Sequence, residues 1–452
     1  MNAAQALVDH ALSLRWDALS QAVQADARRL LHDAVAVGAG GAGAAYSDAV
    51  LAAARSWSGD GGEGLVLGRP GVRLPPVQAA FVNAFQLHGQ EFDSVHEKAV
   101  LHPLPTIVPA LIAELDRSGP YSGEEVLAAM VAGVDVAVAL GVAATTPLRF
   151  FRPATAGVFG ATAALARLKR LSPEAAMDAM GYALAFSSGT MQAHTEGKPA
   201  LPVQVAAAAR SALQAIDMAQ GGLPGPHDWL EGPFGYLPLF EVGFDVAPVL
   251  ADLKDRRRIA EVACKPFPTG RACHGGLVAV RKLATEHGVT PANLESLTYS
   301  APPLIRHLVG RVAKPGMDTA YARLCLPYLA AVMLTRGRVG LDDYTPERLN
   351  EADVLALAAR IVIESDGNPD PAAFVPAHAT ARLKDGREIM LDVTAQLGSP
   401  EFPMSRDEHL EKARSCLTFV GMEAAHGPLT DLFDRFDTLS DAREVFLLAS
   451  GG

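Results

Sequence analysis

Cysteine is scarce in this chain. Four occur in 452 residues, Cys264, Cys273, Cys325 and Cys416, and no two of them stand as CxxC. The spacing excludes the common zinc and iron–sulfur patterns and offers no disulfide framework, so a reduced, cytoplasmic protein is expected. Positive charge is also in deficit. The formal net charge of −11 argues against nucleic acid as a partner, because phosphate binding needs a basic face. Any anionic ligand must therefore find cations concentrated locally. The first twenty residues lack the apolar core of a secretory signal, since Asp9, His10, Arg15 and Asp17 interrupt it. Only one long apolar run is present, 126–144, and Asp135 sits in its middle among Ala and Gly. That composition predicts a buried core helix rather than a membrane span.

Alanine and helical periodicity are abundant. Residues 1–256 read as almost wholly helical, with apolar positions recurring as Ala27, Leu30, Leu31 and Ala34. Ser122 with Glu125 forms a capping box before Val126, and Ser172-Pro173 starts a helix running to about Ala185. The character changes near Lys265. Strands are expected at Leu297–Tyr299 and Ile361–Ile363, and a hairpin pairs Ala379–Leu383 with Glu388–Val393 around Asp385-Gly386. Helices are expected over 320–335 and 346–359, the second capped by Thr345. The chain thus divides into a large all-helical domain, 1–256 with the tail 405–452 packing back on it, and a smaller α+β domain, 257–404.

Three familiar motifs fail on inspection. Gly38 to Gly43 matches GxGxxG, but a helical pattern rather than a strand precedes it, so a dinucleotide site is not expected. His96-Glu97 begins like HExxH but has Val100 where the second ligand belongs. Ser187-Ser188-Gly189 lacks the first glycine of a nucleophile elbow. Activity without metal or nicotinamide follows as an expectation.

Four other clusters carry chemistry. In Asn83 to Pro103, NAFQLHGQEFDSVHEKAVLHP, titratable groups crowd into apolar surroundings: His88, Glu91, Asp93, His96, Glu97, Lys98 and His102. In the second, Arg149 and Arg152 precede a Gly-rich helix start that suits an anion. In the third, His194-Thr195-Glu196-Gly197-Lys198 stands before a very apolar helix, where burial would make Lys198 a base. In the fourth, Lys265-Pro266-Phe267-Pro268-Thr269-Gly270-Arg271-Ala272-Cys273-His274 is a proline-stiffened crossing carrying three basic groups.

These clusters, in this order, resemble the MmgE/PrpD family, which includes 2-methylcitrate dehydratase, cis-aconitate decarboxylase and iminodisuccinate epimerase. The most specific pieces are the stretch ending HEKAVLHP, RPATAGVFGATAALARL, KPFPTGRACHGG and ARLCLPYLAAVMLTRGRVGLDDYTPERL. The resemblance spans essentially the whole chain. It implies a helical body with a smaller α+β lid, a homodimer, an active site between the domains and no cofactor. It places Glu91 or Asp93 in the acidic motif, His102 on the histidine of the HP motif, Lys198 on the lysine of the middle motif, Lys265 and His274 in the KP…H motif, and Tyr328 on the tyrosine of the lid. The chain departs from the family where many members have two adjacent acids and it has Asp93-Ser94, where others have a histidine and it has Arg152, and where GKPALPVQ lacks a second histidine.

Removing a proton beside a carboxylate builds charge that cations must meet, and it needs a base within reach. Arg152, Lys198, Lys265, Arg271 and His274 are the candidate cations, His102 or Lys198 the candidate base, and Tyr328 the candidate acid. The expected substrate is a small di- or tricarboxylic acid. Dehydration is the first expectation, with epimerisation and decarboxylation open. A non-catalytic polycarboxylate-binding protein is the alternative of another class.

Overall fold

The computed structural model describes all residues except 1, 60 and 371. Helices dominate, and among the described residues the strands form a two-stranded ribbon and one four-stranded sheet. The mainly α architecture with a smaller α+β unit is therefore as expected.

The helical body is built around Gly123–Ala143, which starts at the Ser122/Glu125 capping box. This helix is long and apolar enough to cross a membrane, yet its most apolar window is 94% buried inside the protein. Asp135 is satisfied there: one carboxylate oxygen accepts from the Arg258 backbone N–H at 2.7 Å and the other pairs with His10 at 2.9 Å. Gly157–Leu168 packs directly on this helix. The backbones meet at two glycines, since a Cβ on Gly133 would lie 2.6 Å from the Gly160 carbonyl oxygen and one on Gly160 would lie 2.7 Å from that of Gly133. The GxGxxG stretch has a similar explanation. Helix Gln21–Gly40 runs straight into it, and a Cβ on Gly41 would fall 2.0 Å from the Gln86 carbonyl oxygen. The glycines allow close backbone approach at a packed helix end.

Strands β1 (Gly64–Leu65) and β2 (Arg73–Leu74) form the ribbon, an exception to the all-helical reading of the first domain. The larger sheet contains β3 (Leu294–Ala301), β4 (Ile361–Ser365), β5 (Ala377–Leu383) and β6 (Glu388–Val393) in the order β4-β3-β5-β6. Only β3 and β4 pair in parallel, and the β5–β6 hairpin turns through Asp385-Gly386 with Gly386 at φ 88°. Helices His274–His287 and Leu326–Arg336 pack against this sheet.

Two expected helices are broken. The span 320–335 splits into Thr319–Ala322 and Leu326–Arg336 because Pro327 supplies no N–H and its ring crowds the carbonyl four residues back. The span 346–359 splits into Pro346–Leu349, capped by Thr345, and Ala352–Ala358. Helix Arg406–Phe419 lies against Gln21–Gly40, with Lys412 paired to Asp33 at 2.7 Å.

Candidate active site

Helix Pro76–Gly89 ends at the acidic stretch, and a turn carries the chain through Glu91 to Asp93. Glu91 adopts φ 50°, a left-handed conformation that is costly for a side chain with a Cβ. The next helix begins at Leu104, so His102 sits just before it. The crossing segment at Cys264–Lys265 runs beside the turn, tied by Val95 and Ala263 exchanging backbone hydrogen bonds at 2.9 and 2.8 Å.

This arrangement brings Glu91, Asp93, His88, His102 and Lys265 into one buried cluster. One oxygen of Asp93 accepts from both imidazoles, from Nδ1 of His102 at 2.8 Å and from Nδ1 of His88 at 3.0 Å. The other oxygen lies 3.6 Å from the Lys265 ammonium. Lys265 is fully buried and donates to the Glu91 carboxylate at 2.9 Å and to its carbonyl at 3.0 Å.

The electrostatics divide the two histidines. Burial pushes His102 down, and although Asp93 opposes this, Lys265 reinforces it, so His102 stays below the ordinary imidazole range. For His88 burial also acts downward, but the Asp93 and Glu91 carboxylates outweigh it and the group is raised. The acids ionise easily. Burial acts against Glu91, but Lys265 and the histidines bring it down to about 2. Asp93 lies well below its ordinary value, since His102, His88 and Lys265 overcome burial. With Nδ1–H committed to Asp93, His102 keeps Nε2 as a lone-pair nitrogen. Paired groups pushed apart in this way mark an acid–base site.

A cavity of about 70 Å³ adjoins the cluster, lined among others by Glu91, His102, Phe151, His194, Arg271 and Phe374. Arg271 is held at its wall. Its guanidinium donates to Glu97 at 2.5 Å, to the Leu397 carbonyl at 2.6 Å and to Nδ1 of His274 at 3.3 Å. His274 is fully buried one layer behind, its Nε2 3.4 Å from the Thr269 carbonyl, and burial together with Arg271 and Lys265 keeps it neutral. It orients Arg271 rather than serving as the expected cation.

Three other expected residues stand elsewhere. Lys198 is exposed on the turn after Gln192–Glu196 and is not part of the cavity wall. The burial that would make it a base is not found. His194, four residues earlier, is the group this turn buries against the cavity, and burial and Arg311 push it down to about 4. Arg152 is buried but saturated, with Nε and Nη2 each 2.8 Å from the Glu241 carboxylate. It faces a separate outer pocket that also contains Glu97 and Lys98. Tyr328 is in the core, its hydroxyl donating to the carbonyls of Asp343 at 3.0 Å and Arg348 at 3.3 Å. Helix Leu326–Arg336 turns it away from the cavity.

Sequence reasoning missed Arg311 and Arg323. Arg311 donates to the His194 carbonyl, and Arg323 donates to the carbonyls of Gln90 and Pro268. Nothing in their local sequence marks them, because both act on backbone atoms of distant segments.

Among the described residues, His88, Asp93 and His102 lie close enough to share a metal ion, as do Asp33, Cys264 and His409. Each set fits a metal poorly. Lys265 stands beside the first, and Arg29 and Lys412 already bond to members of the second.

Residues 5–248 match the MmgE/PrpD N-terminal domain and residues 267–428 the MmgE/PrpD C-terminal domain. The chain is 26% identical to the cis-aconitate decarboxylase of Mus musculus, across 97% of this chain and 91% of the relative. It is 27% identical to the Homo sapiens enzyme of the same name, across 77% of this chain and 74% of the relative. The cis-aconitate decarboxylase of Aspergillus terreus (strain NIH 2624 / FGSC A1156) is 26% identical, across 95% and 92%.

Proposed function

Because the chain belongs to the MmgE/PrpD family, we propose that it is a lyase that removes a proton beside a carboxylate of a small di- or tricarboxylic acid, with dehydration as its reaction. The observation that carries this is the Asp93–His102 pair, 2.8 Å apart at the edge of a cavity whose wall also presents Arg271.

His102 Nε2 takes the proton from the substrate carbon. Asp93 fixes the ring and stabilises the imidazolium that forms, as a buried carboxylate does in other histidine-based sites. Arg271, which rests on Glu97 and on the Leu397 and Gln396 carbonyls, exchanges one of these partners for the substrate carboxylate and meets the charge that accumulates on it. Lys265 keeps Glu91 and Asp93 ionised. The electron pair of the broken C–H bond forms the double bond, the neighbouring C–O bond breaks, and the proton on His102 passes to the departing hydroxide, giving water. With Tyr328 in the core, the same imidazole serves as acid and base.

Decarboxylation is a second reading, favoured by the names of the relatives. It breaks a C–C bond, releases carbon dioxide and needs a proton donor at the carbon left behind. A His102 below the ordinary imidazole range is neutral near pH 7 and begins as an acceptor, which favours proton abstraction first.

A screen of di- and tricarboxylic acids in deuterated water, read by NMR, separates the readings. Dehydration yields an unsaturated acid of the same carbon number, decarboxylation loses one carbon and gains one deuterium, and epimerisation exchanges the α-proton alone. Binding without exchange or product in any acid would leave only a binding protein and sink the enzyme reading.

A further inference from the structure

The strained turn that carries the acids is gripped at three successive carbonyls by three cations from three distant segments. The Gln90 carbonyl accepts from Arg323 at 2.6 Å, that of Glu91 from Lys265 at 3.0 Å and that of Phe92 from Lys412 at 2.8 Å. None of the three cations is more than 5% exposed. Lys265 comes from the crossing segment, Arg323 from the break after Thr319–Ala322 and Lys412 from the tail helix Arg406–Phe419.

Each grip is anchored on its far side. The Arg323 guanidinium also donates to the Pro268 carbonyl at 2.8 Å and lies 3.9 Å from the Tyr344 ring centroid. Lys412 pairs with buried Asp33 at 2.7 Å and sits 4.3 Å from the Phe92 ring centroid. Left alone, a non-glycine residue at φ 50° relaxes toward ordinary backbone. Rotation of the peptide planes at 91 and 92 would swing Asp93 away from His102. A cation fully withdrawn from water on each carbonyl opposes that rotation, because charge-assisted hydrogen bonds in a buried setting are strong and costly to leave unmade.

We propose that Arg323 and Lys412, which touch neither the cavity nor any reacting atom, are positioning residues that hold the Glu91–Asp93 turn in the conformation where Asp93 orients His102. The inference rests on the lyase reading for its kinetic consequence, but its structural content is independent of it. A residue of the C-terminal tail, 320 positions from Phe92, thereby controls the catalytic pair.

Lys412→Met alone strands the Asp33 carboxylate, so the informative variant is Asp33→Asn/Lys412→Met, which removes the ion pair together, with Lys412→Arg as the conservative partner. In the wild-type protein the imidazole N–H shared with Asp93 gives a low-field proton resonance, assigned by its loss in His102→Gln. It is expected to be shifted or broadened away in Asp33→Asn/Lys412→Met and in Arg323→Met, and restored in Lys412→Arg. On the substrate found by the screen, kcat is expected to fall at least tenfold in both disrupted variants with KM within about threefold, measured well below each variant's Tm. An unchanged resonance in either folded variant overturns the proposal, as does full kcat. If the resonance responds as expected while no di- or tricarboxylic acid reacts with the wild type, the lyase reading fails and the positioning role stands.

Discussion

At the scale of single residues, the proposed reaction has His102 as its base and the neighbouring charges as the groups that prepare it. His102→Gln is expected to lower turnover by about 10²- to 10⁴-fold, the usual worth of a positioned base, while Tm changes by only a few degrees, because the ring borders a cavity rather than filling a core. Steady-state kinetics beside a thermal melt test this. Lys198→Ala provides the contrast. An exposed side chain on a turn is expected to keep both Tm and most of kcat, and a loss comparable to that of His102→Gln would show that the turn moves to bring Lys198 to the substrate. His102 and Asp93 were legible in the sequence because the acidic cluster and its histidines lie within twenty-one residues. Arg152 was misleading for an equally local reason. Nothing near position 152 reveals that Glu241, 89 residues on, neutralises it.

Among the elements, helix Gly157–Leu168 packs on Gly123–Ala143 and follows the segment whose Phe151 and Pro153 line the cavity. Its close approach depends on Gly133 and Gly160. Gly133→Val is expected to destabilise by about 3 kcal/mol or more, at or above the usual cost of overpacking, because the neighbour it meets at 2.6 Å is backbone that has no rotamer to move. Urea unfolding measures the difference. Capping signals predicted the start of Gly123–Ala143 and of Pro173–Phe186 because caps are local chemistry. The sheet hairpin was legible for the same reason, through its Asp-Gly turn. The break at Cys325 was not, because the alanine-rich periodicity on both sides outweighed a single proline.

Across the whole molecule, buried titratable groups make stability depend on pH. Burial is the largest influence on His32, His194 and His409, and each is brought from 6.5 to about 4. A histidine depressed in the folded state binds its proton more readily when unfolded, so its contribution is present above 6.5 and is lost as pH falls toward about 4. Glu91, depressed from 4.5 to about 2, adds a second loss between those values. Tm is therefore expected to decline from about pH 6.5 downward and to go on declining less steeply below about 4, where of these groups only Glu91 still takes up a proton on unfolding. The test is a pH series of melts, in which His409→Gln should flatten the upper part. A flat Tm between pH 6.5 and 4.5 would contradict the burial of these histidines. The lid role of 257–404 and the homodimer are whole-molecule proposals too. Hydrogen exchange at the crossing segment with and without a bound acid tests the first, and sedimentation tests the second.

The helical body, the smaller mixed sheet, the acidic cluster with its histidines and the lack of recognisable metal or dinucleotide motifs are all written locally along the chain. These depend on periodicity, capping, turn chemistry and residues close along the chain. Which charges meet is settled by packing between distant segments. It paired Arg152 with Glu241, left Lys198 in solvent, sank Tyr328 into the core, and brought Arg323 and Lys412 onto the carbonyls beside Glu91. A charged side chain's role is set by its partners and its distance from water, and the partners come from distant segments, 89 residues away for Arg152 and 320 for Lys412.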